Sequence, residues 1–198
     1  MGKIYYLMGK SACGKDTLYK RIRQDLPQLA VAVPYTTRPM REGETDGVEY
    51  HFTTEQDLDR IRRDGRVIEA RTYQTVAGPW TYATVDDGSF DLEKRDFLMI
   101  GTLESYCSIR DYFPEGAVVP LLIEVEDGIR LERAIRRERE QEKPQYAELC
   151  RRFLADEQDF SEENLRNAGV ATAYPNLDFD ACAERLEDVI RNGSADSE

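Results

Sequence analysis

Close to the start of the chain stands Gly9-Lys10-Ser11-Ala12-Cys13-Gly14-Lys15-Asp16, a G-x-x-x-x-G-K run ending in Asp16 where serine or threonine is usual. Residues of these types at this spacing hold phosphate. The glycines let the backbone turn so that successive N–H groups face phosphate oxygens. The helix that follows adds the positive end of its dipole. Lys15 reaches the charge that moves when a phosphoryl group is transferred. Residues 9–16, together with Thr17, are therefore the candidate contacts of a nucleoside triphosphate. Asp16 is a hard oxygen ligand suited to Mg2+, directly or through water. Asp is also favoured at helix starts, so a plain N-cap is the other reading, and one residue can serve both. Cys13 lies beside a helix N-terminus, where a thiol pKa can fall and redox chemistry become available. The plainer reading is that only its backbone matters.

A second constellation runs from Tyr35 to Phe52. Arg38 and Arg41 stand three apart with Tyr50 close by. Two guanidinium forks and a phenol can converge on one phosphate through charge-assisted hydrogen bonds. Without a ligand, the same residues make an ordinary solvated polar loop. A third group is cationic: Arg130, Arg133, Arg136, Arg137 and Arg139 crowd one segment, and Arg151 and Arg152 follow Pro144. Glu132, Glu138 and Glu140 are spaced to pair with these arginines along a helix, which predicts a solvated, salt-bridged face for most of them. A phosphotransferase also needs mobile cations that close over the transferring group and exclude water.

The elements that must carry these groups are legible in outline. Ile4–Met8 is a short apolar run that predicts a buried strand, and Thr17–Leu26 has helical apolar spacing, so the phosphate loop joins strand to helix. The pattern then predicts strands over Leu29–Val33, Val67–Ala70, Trp80–Val85, Phe97–Ile100, Val118–Val125 and Ala171–Tyr174. Pro120 complicates the most apolar of them. Helices are predicted over Glu55–Asp64, Leu103–Tyr112, Gly128–Glu142, Tyr146–Phe160 and Phe179–Ile190. Residues 193–198 read as a disordered tail. Strands alternating with helices imply a mostly parallel α/β sheet, in which ligands sit at the carboxyl ends of the strands.

Bulk properties narrow the field. A chain of 198 residues with 40% hydrophobic content suits one compact domain, spanning residues 1–192. The net charge of −12 argues against general affinity for nucleic acid or an anionic membrane, so any positive charge for phosphate must be concentrated locally. No membrane span or signal-peptide core is evident. The four cysteines have no metal-site or disulfide spacing. His51 is the only histidine, so a histidine base is not expected. A cytoplasmic location is the expectation.

The stretch 34–52 resembles the GMP-binding signature of guanylate kinases, S-x-T-T-R-x-x-R-x-G-E-x-x-G-x-x-Y-x-F. The matches are Thr36, Thr37, Arg38, Arg41, Gly43, Glu44, Gly47, Tyr50 and Phe52. The likeness covers nearly the whole chain. Val67-Ile68-Glu69 resembles the family's F-(I/L)-E strand, Tyr82-Ala83-Thr84 its Y-G-(S/T), and Arg151-Arg152-Phe153 the R-(K/R)-L of its second lid helix. Asn176 resembles the family's late asparagine. The resemblance implies an α/β fold of the P-loop NTPase type: three layers, a mostly parallel central sheet with helices on both faces, and small acceptor-binding (about 34–88) and lid (about 127–160) subdomains. It implies phosphorylation of GMP, or dGMP, by ATP with Mg2+, in a monomer or homodimer with no nucleic-acid partner. Arg38, Arg41, Glu44, Tyr50, Glu69, Tyr82 and Thr84 would then bind the acceptor, and Asn176 the ATP. Lys15, Arg137 and Arg152 would stabilise the transfer, with Arg139 able to replace Arg137. Guanine offers adjacent N1–H and N2–H2 donors that a carboxylate such as Glu69 can accept, and the Thr84 hydroxyl can donate to O6.

The sequence departs from that pattern in places. Pro34 replaces the signature's first serine. Met99-Ile100-Gly101 stands where the family has D-(I/V)-D, so two carboxylates are absent, and Asp16 is the candidate substitute on the metal side. Two rivals follow. The G-K-D ending of the phosphate loop resembles that of ribose 1,5-bisphosphate phosphokinases. Some guanylate-kinase-like domains bind phosphopeptides without catalysis, although they typically lose the phosphate loop retained here.

Overall fold

The computed structural model describes residues 2–41, 43–75 and 78–193. The elements in chain order are β1 (Ile4–Met8), α1 (Lys15–Asp25), β2 (Ala30–Val31), β3 (Tyr35–Thr36), β4 (His51–Phe52), α2 (Glu55–Arg63), β5 (Val67–Thr75), β6 (Gly78–Val85), β7 (Phe97–Gly101), α3 (Leu103–Tyr112), β8 (Val118–Glu124), α4 (Asp127–Arg139), α5 (Tyr146–Asp159), α6 (Glu162–Asn167), β9 (Ala173–Pro175) and α7 (Phe179–Asn192).

Strand β1 is buried at all five positions, and its side chains alternate between two cores, as a strand's period of two requires. Tyr5 and Leu7 join Leu18 and Ile22 of α1 and Leu186 and Ile190 of α7. Ile4, Tyr6 and Met8 face the other way, onto Leu103, Tyr106 and Ile109 of α3. Burying each such aliphatic side chain contributes about 1.5–3 kcal/mol before entropy is counted. The result is the expected three-layer α/β arrangement.

The central sheet has the order β2-β7-β1-β8-β9, and every pairing in it is parallel. Met8 of β1 lies opposite Gly101 of β7 and Leu122 of β8, so the loops leaving these strands emerge along one edge. Pro120 lies in β8 opposite Tyr6; β9 pairs with β8 only from Leu122 onward, which leaves an open side along the stretch that lacks an N–H.

A second sheet, β4-β3-β6-β5, carries the acceptor-region residues. Its long β5–β6 hairpin exceeds the two short strands predicted. Apolar pattern ends at Ala70, but Thr72 pairs with Thr81 and Tyr73 with Trp80 across the ladder, which extends it. A bulge between Val67 and Glu69 interrupts the register where Glu69 begins.

Other boundaries shift modestly. Helix α4 stops at Arg139 instead of Glu142, and α6 was not anticipated. Gly193 closes α7 in a left-handed turn, its N–H on Val189 O, so it belongs to the helix end and not to a disordered tail. Residues 194–198 of that predicted tail lie outside the described residues, as does Glu42 of the arginine loop.

Candidate active site

The phosphate loop leaves the buried β1 and enters α1 through Gly14, whose φ of 90° a side chain would resist. Ala12 is also left-handed, at φ 63°. Gly14, and not Asp16, is the N-cap, with no side-chain cap bond; Asp16 lies exposed within the first turn of α1. The plain N-cap alternative for Asp16 is thereby excluded.

The loop is braced from outside. The buried Asn176 amide donates to Cys13 O at 2.8 Å, and Arg133 donates to the Asn176 carbonyl at 3.2 Å. Asn176 therefore fixes the loop's shape through its side chain. Arg130 is only 1% exposed. Its guanidinium donates to Ser11 O, Asp127 and Glu157 and stacks on the Phe153 ring. The prediction of a solvated helix fails at Arg130, and it fails again at Glu138. Glu138 is buried and accepts from the Gln145 N–H at 2.8 Å and from Gln141. Both face inward, packed against α5 and its N-terminus.

Helix α5 lies against the phosphate loop. Arg152 donates to Ser11 Oγ at 3.3 Å, and Arg137 lines the same small cleft. Arg139 is exposed on the last turn of α4. Lys10 donates to Glu157 at 2.7 Å. Asp156 Oδ2 accepts the Ser11 N–H at 2.7 Å, taking a backbone donor of the kind that a phosphate oxygen uses. Neither Asp156 nor Arg130 was anticipated as a loop contact, because their partners lie more than a hundred residues away.

Cys13 is buried, and burial pushes its thiol above the usual range, with Lys15 pulling the other way. The lowered pKa and redox role considered for it are not supported, because desolvation outweighs the helix end.

In the second sheet, Arg38 is 4% exposed and bonds Glu44 through both fork nitrogens, at 2.7 and 2.9 Å. The Tyr50 and Phe52 rings cover its guanidinium. Glu44 also accepts the Arg41 N–H at 2.7 Å. The Arg38 bond, helped by that N–H, holds the Glu44 carboxyl down to about 2. Arg41 itself is exposed. Tyr50 meets Tyr82 edge-on, and burial raises its phenol pKa, so the hydroxyl remains a donor.

A cleft of about 1000 Å³ lies between the two sheets, lined by Tyr50, Glu69, Tyr82 and Thr84 from one side and Tyr6 and Met99 from the other. Glu69 and Thr84 meet as a pair: Thr84 Oγ1 donates to Glu69 Oε1 at 2.9 Å. That bond uses the threonine hydrogen expected to reach a carbonyl. Arg71 lines the same cleft and donates to Glu69 Oε2 at 3.1 Å. Arg71 escaped the sequence reading, although Glu-x-Arg on a strand puts both side chains on one face.

Among the described residues no group of three or more His, Cys, Asp and Glu side chains is placed to hold a metal. One exposed carboxylate beside a phosphate loop still fits Mg2+, which takes one or two carboxylates and completes its octahedron with phosphate oxygens and water. No helix among the described residues is long and apolar enough to cross a membrane.

A family model described as guanylate kinase matches residues 1–191. A guanylate kinase of Helicobacter hepaticus is 31% identical over 144 residues, 69% of this chain and 68% of that protein. One of Chlorobium luteolum is 41% identical over 69 residues, 35% of each chain. The crystal structure of guanylate kinase from Anaplasma phagocytophilum is similar in fold, with a TM-score of 0.66 over 99% of this chain and 88% of that one, at 18% identity.

Two outcomes follow from the geometry. A carboxyl held below its unfolded pKa stabilises the fold fully above about pH 4.3 and loses that contribution as pH falls through its folded value. Glu44→Gln should therefore lower the urea midpoint at neutral pH, and its gap from wild type should close as the solution is acidified toward pH about 2. Asp156→Ala frees a loop N–H for phosphate and is expected to tighten ATP binding about threefold or more, measured by calorimetry.

Proposed function

Because the chain belongs to the guanylate kinase family, we propose that it transfers the γ-phosphoryl group of MgATP to the phosphate of GMP, with dGMP a close alternative. The observation that carries this reading is the register of the central sheet. Met8 opposite Gly101 sets the start of the phosphate loop one strand spacing, about 4.8 Å, from the end of β7, whose Met99 and Ile100 line the cleft that holds Glu69 and Thr84. The same cleft is lined by Tyr50, whose ring covers Arg38, and by Tyr19 and Arg23 of α1, the helix that the phosphate loop enters, so an acceptor phosphate held at Arg38 would face the ATP side.

In this reading residues 34–88 bind the acceptor and residues 127–160 form the lid. Backbone N–H groups of residues 9–14 and the α1 N-terminus receive the ATP phosphates. Lys15 neutralises charge on the transferring group. Mg2+, held by Asp16 and phosphate oxygens, supplies further neutralisation when bound. Arg38, locked by Glu44 and two aromatic rings, is a preorganised cation for the acceptor phosphate; exposed Arg41 and the Tyr50 hydroxyl complete the cradle. Arg137 and Arg152 line the lid cleft beside Ser11 and are suited to close on the γ-phosphate while water is excluded. No general base is needed, since positioning and charge carry most of the catalysis. The four cysteines are free thiols, in keeping with a reducing cytoplasm.

Coupled ADP release should report turnover with MgATP and GMP. Lys15→Ala is expected to reduce kcat by about a thousandfold, and Arg38→Ala to raise the KM for GMP steeply, each costing about 3–4 kcal/mol of transition-state stabilisation. Turnover of ribose 1,5-bisphosphate in place of GMP, or of no acceptor at all, would overturn the proposal.

A further inference from the structure

The cleft's polar wall differs from a plain carboxylate site. Glu69 and Arg71 stand two apart on β5, just beyond the bulge. Each Glu69 oxygen already accepts one hydrogen, from Thr84 on one side and Arg71 Nε on the other, and each keeps a further lone pair. With its hydrogen committed, the Thr84 hydroxyl offers only acceptor capacity. Arg71 Nη1 makes a long 3.4 Å bond to Thr102 Oγ1, and Arg71 Nη2 has no partner among the described residues. Arg71 is thus the available cationic donor on the same strand as the carboxylate. On the facing strand the end of β7, Met99-Ile100-Gly101, carries no carboxylate. A side chain at Gly101 would collide with Tyr6 Oη. Burial raises the Tyr6 phenol far above its usual range, so it stays neutral there.

A carboxylate beside a guanidinium matches an edge that presents a donor beside an acceptor. The N1–H and O6 of a 6-oxopurine form such an edge: N1–H faces Glu69 and O6 faces Arg71. Adenine reverses both, setting an amino group against Arg71 and a bare ring nitrogen against Glu69. The N2 amino group, which alone separates guanine from hypoxanthine, can reach at most the second free lone pair of Glu69 and meets no further carboxylate on β7, so it adds a single hydrogen bond. The cleft of about 1000 Å³ has room for a two-ring base.

We propose that Arg71 is a specificity-determining residue that donates to O6, and that the site therefore accepts the monophosphates of hypoxanthine and guanine as one class. This deepens the kinase reading above and rests on it for the direction of transfer.

The test measures both binding, by calorimetry, and kcat/KM, by ADP release, for GMP, IMP and AMP. In wild type GMP and IMP should agree within about tenfold, with AMP weaker than either by a hundredfold or more. Arg71→Ala should cut the preference for GMP and IMP over AMP by at least about tenfold, and Arg71→Lys should restore part of it. The same comparison in a Glu69→Gln background separates the roles: removing Arg71 there should still lower the base ratio if Arg71 donates to O6, and should change nothing further if it only positions Glu69. The double variant Tyr6→Phe, Gly101→Asp, which gives the floor a carboxylate and clears space for it, should raise GMP over IMP. A wild-type preference for GMP over IMP beyond a hundredfold, or base ratios unchanged in Arg71→Ala, would overturn the assignment. If none of the three is phosphorylated, the kinase reading fails, and the binding ratios still decide Arg71 by the same criteria. If none binds, both fail.

Discussion

The parallel pairing of β1 with β7, Met8 against Gly101, is the constraint on which the rest depends. Parallel strands send their carboxyl ends to one edge, and the loops leaving that edge converge. One loop turns through Gly14 and is the proposed phosphate cradle; the neighbouring strand ends as the floor of the cleft facing Glu69 and Arg71. Packing enforces this register. Tyr5 and Leu7 lock β1 against α1 and α7, while Ile4, Tyr6 and Met8 lock it against α3. A one-residue slip would exchange the two sets and cost many fully buried contacts.

An acidic chain that handles phosphate must concentrate positive charge without wasting it, and the site divides its cations into two kinds. Arg38 with Glu44, Arg71 with Glu69, and Arg130 with Asp127 and Glu157 are each held by carboxylates at hydrogen-bond distance. These guanidinium groups have little freedom left to lose, so ligand binding costs less conformational entropy there. Arg41, Arg137 and Arg152 are exposed and can move to meet a ligand. In the proposed reading, fixed cations set geometry and exposed ones close over it. Asp156 adds an anion on the Ser11 N–H, so a phosphate entering the loop must displace a carboxylate as well as water.

Much of this was legible in the sequence where the signal was local. The strand, loop and helix around residues 4–26 follow from a short apolar run, two glycines at fixed spacing and helical periodicity, all within one window. The crowding of Arg38, Arg41, Glu44 and Tyr50 was equally local. What escaped depended on tertiary partners. Arg130 looked like any arginine on a charged helix until α5 covered it. Cys13 looked activated by a helix end until burial proved the stronger effect. Thr84 was expected to donate to a base, but Glu69 lies opposite it across the hairpin and takes the hydrogen. The hairpin ran long because cross-strand pairs, absent from a window of one strand, hold its polar half.

The central claim is that the phosphate loop and the cleft are two halves of one in-line site. The most direct measurement is calorimetric binding of a bisubstrate mimic, adenosine and guanosine joined by a five-phosphate bridge, to wild type and to Lys15→Ala and Arg38→Ala. Affinity at least about a hundredfold above that of GMP alone is expected, because the second end binds intramolecularly, with each substitution weakening it. Affinity no greater than that of ATP, or sensitivity to only one of the two substitutions, would contradict a shared site.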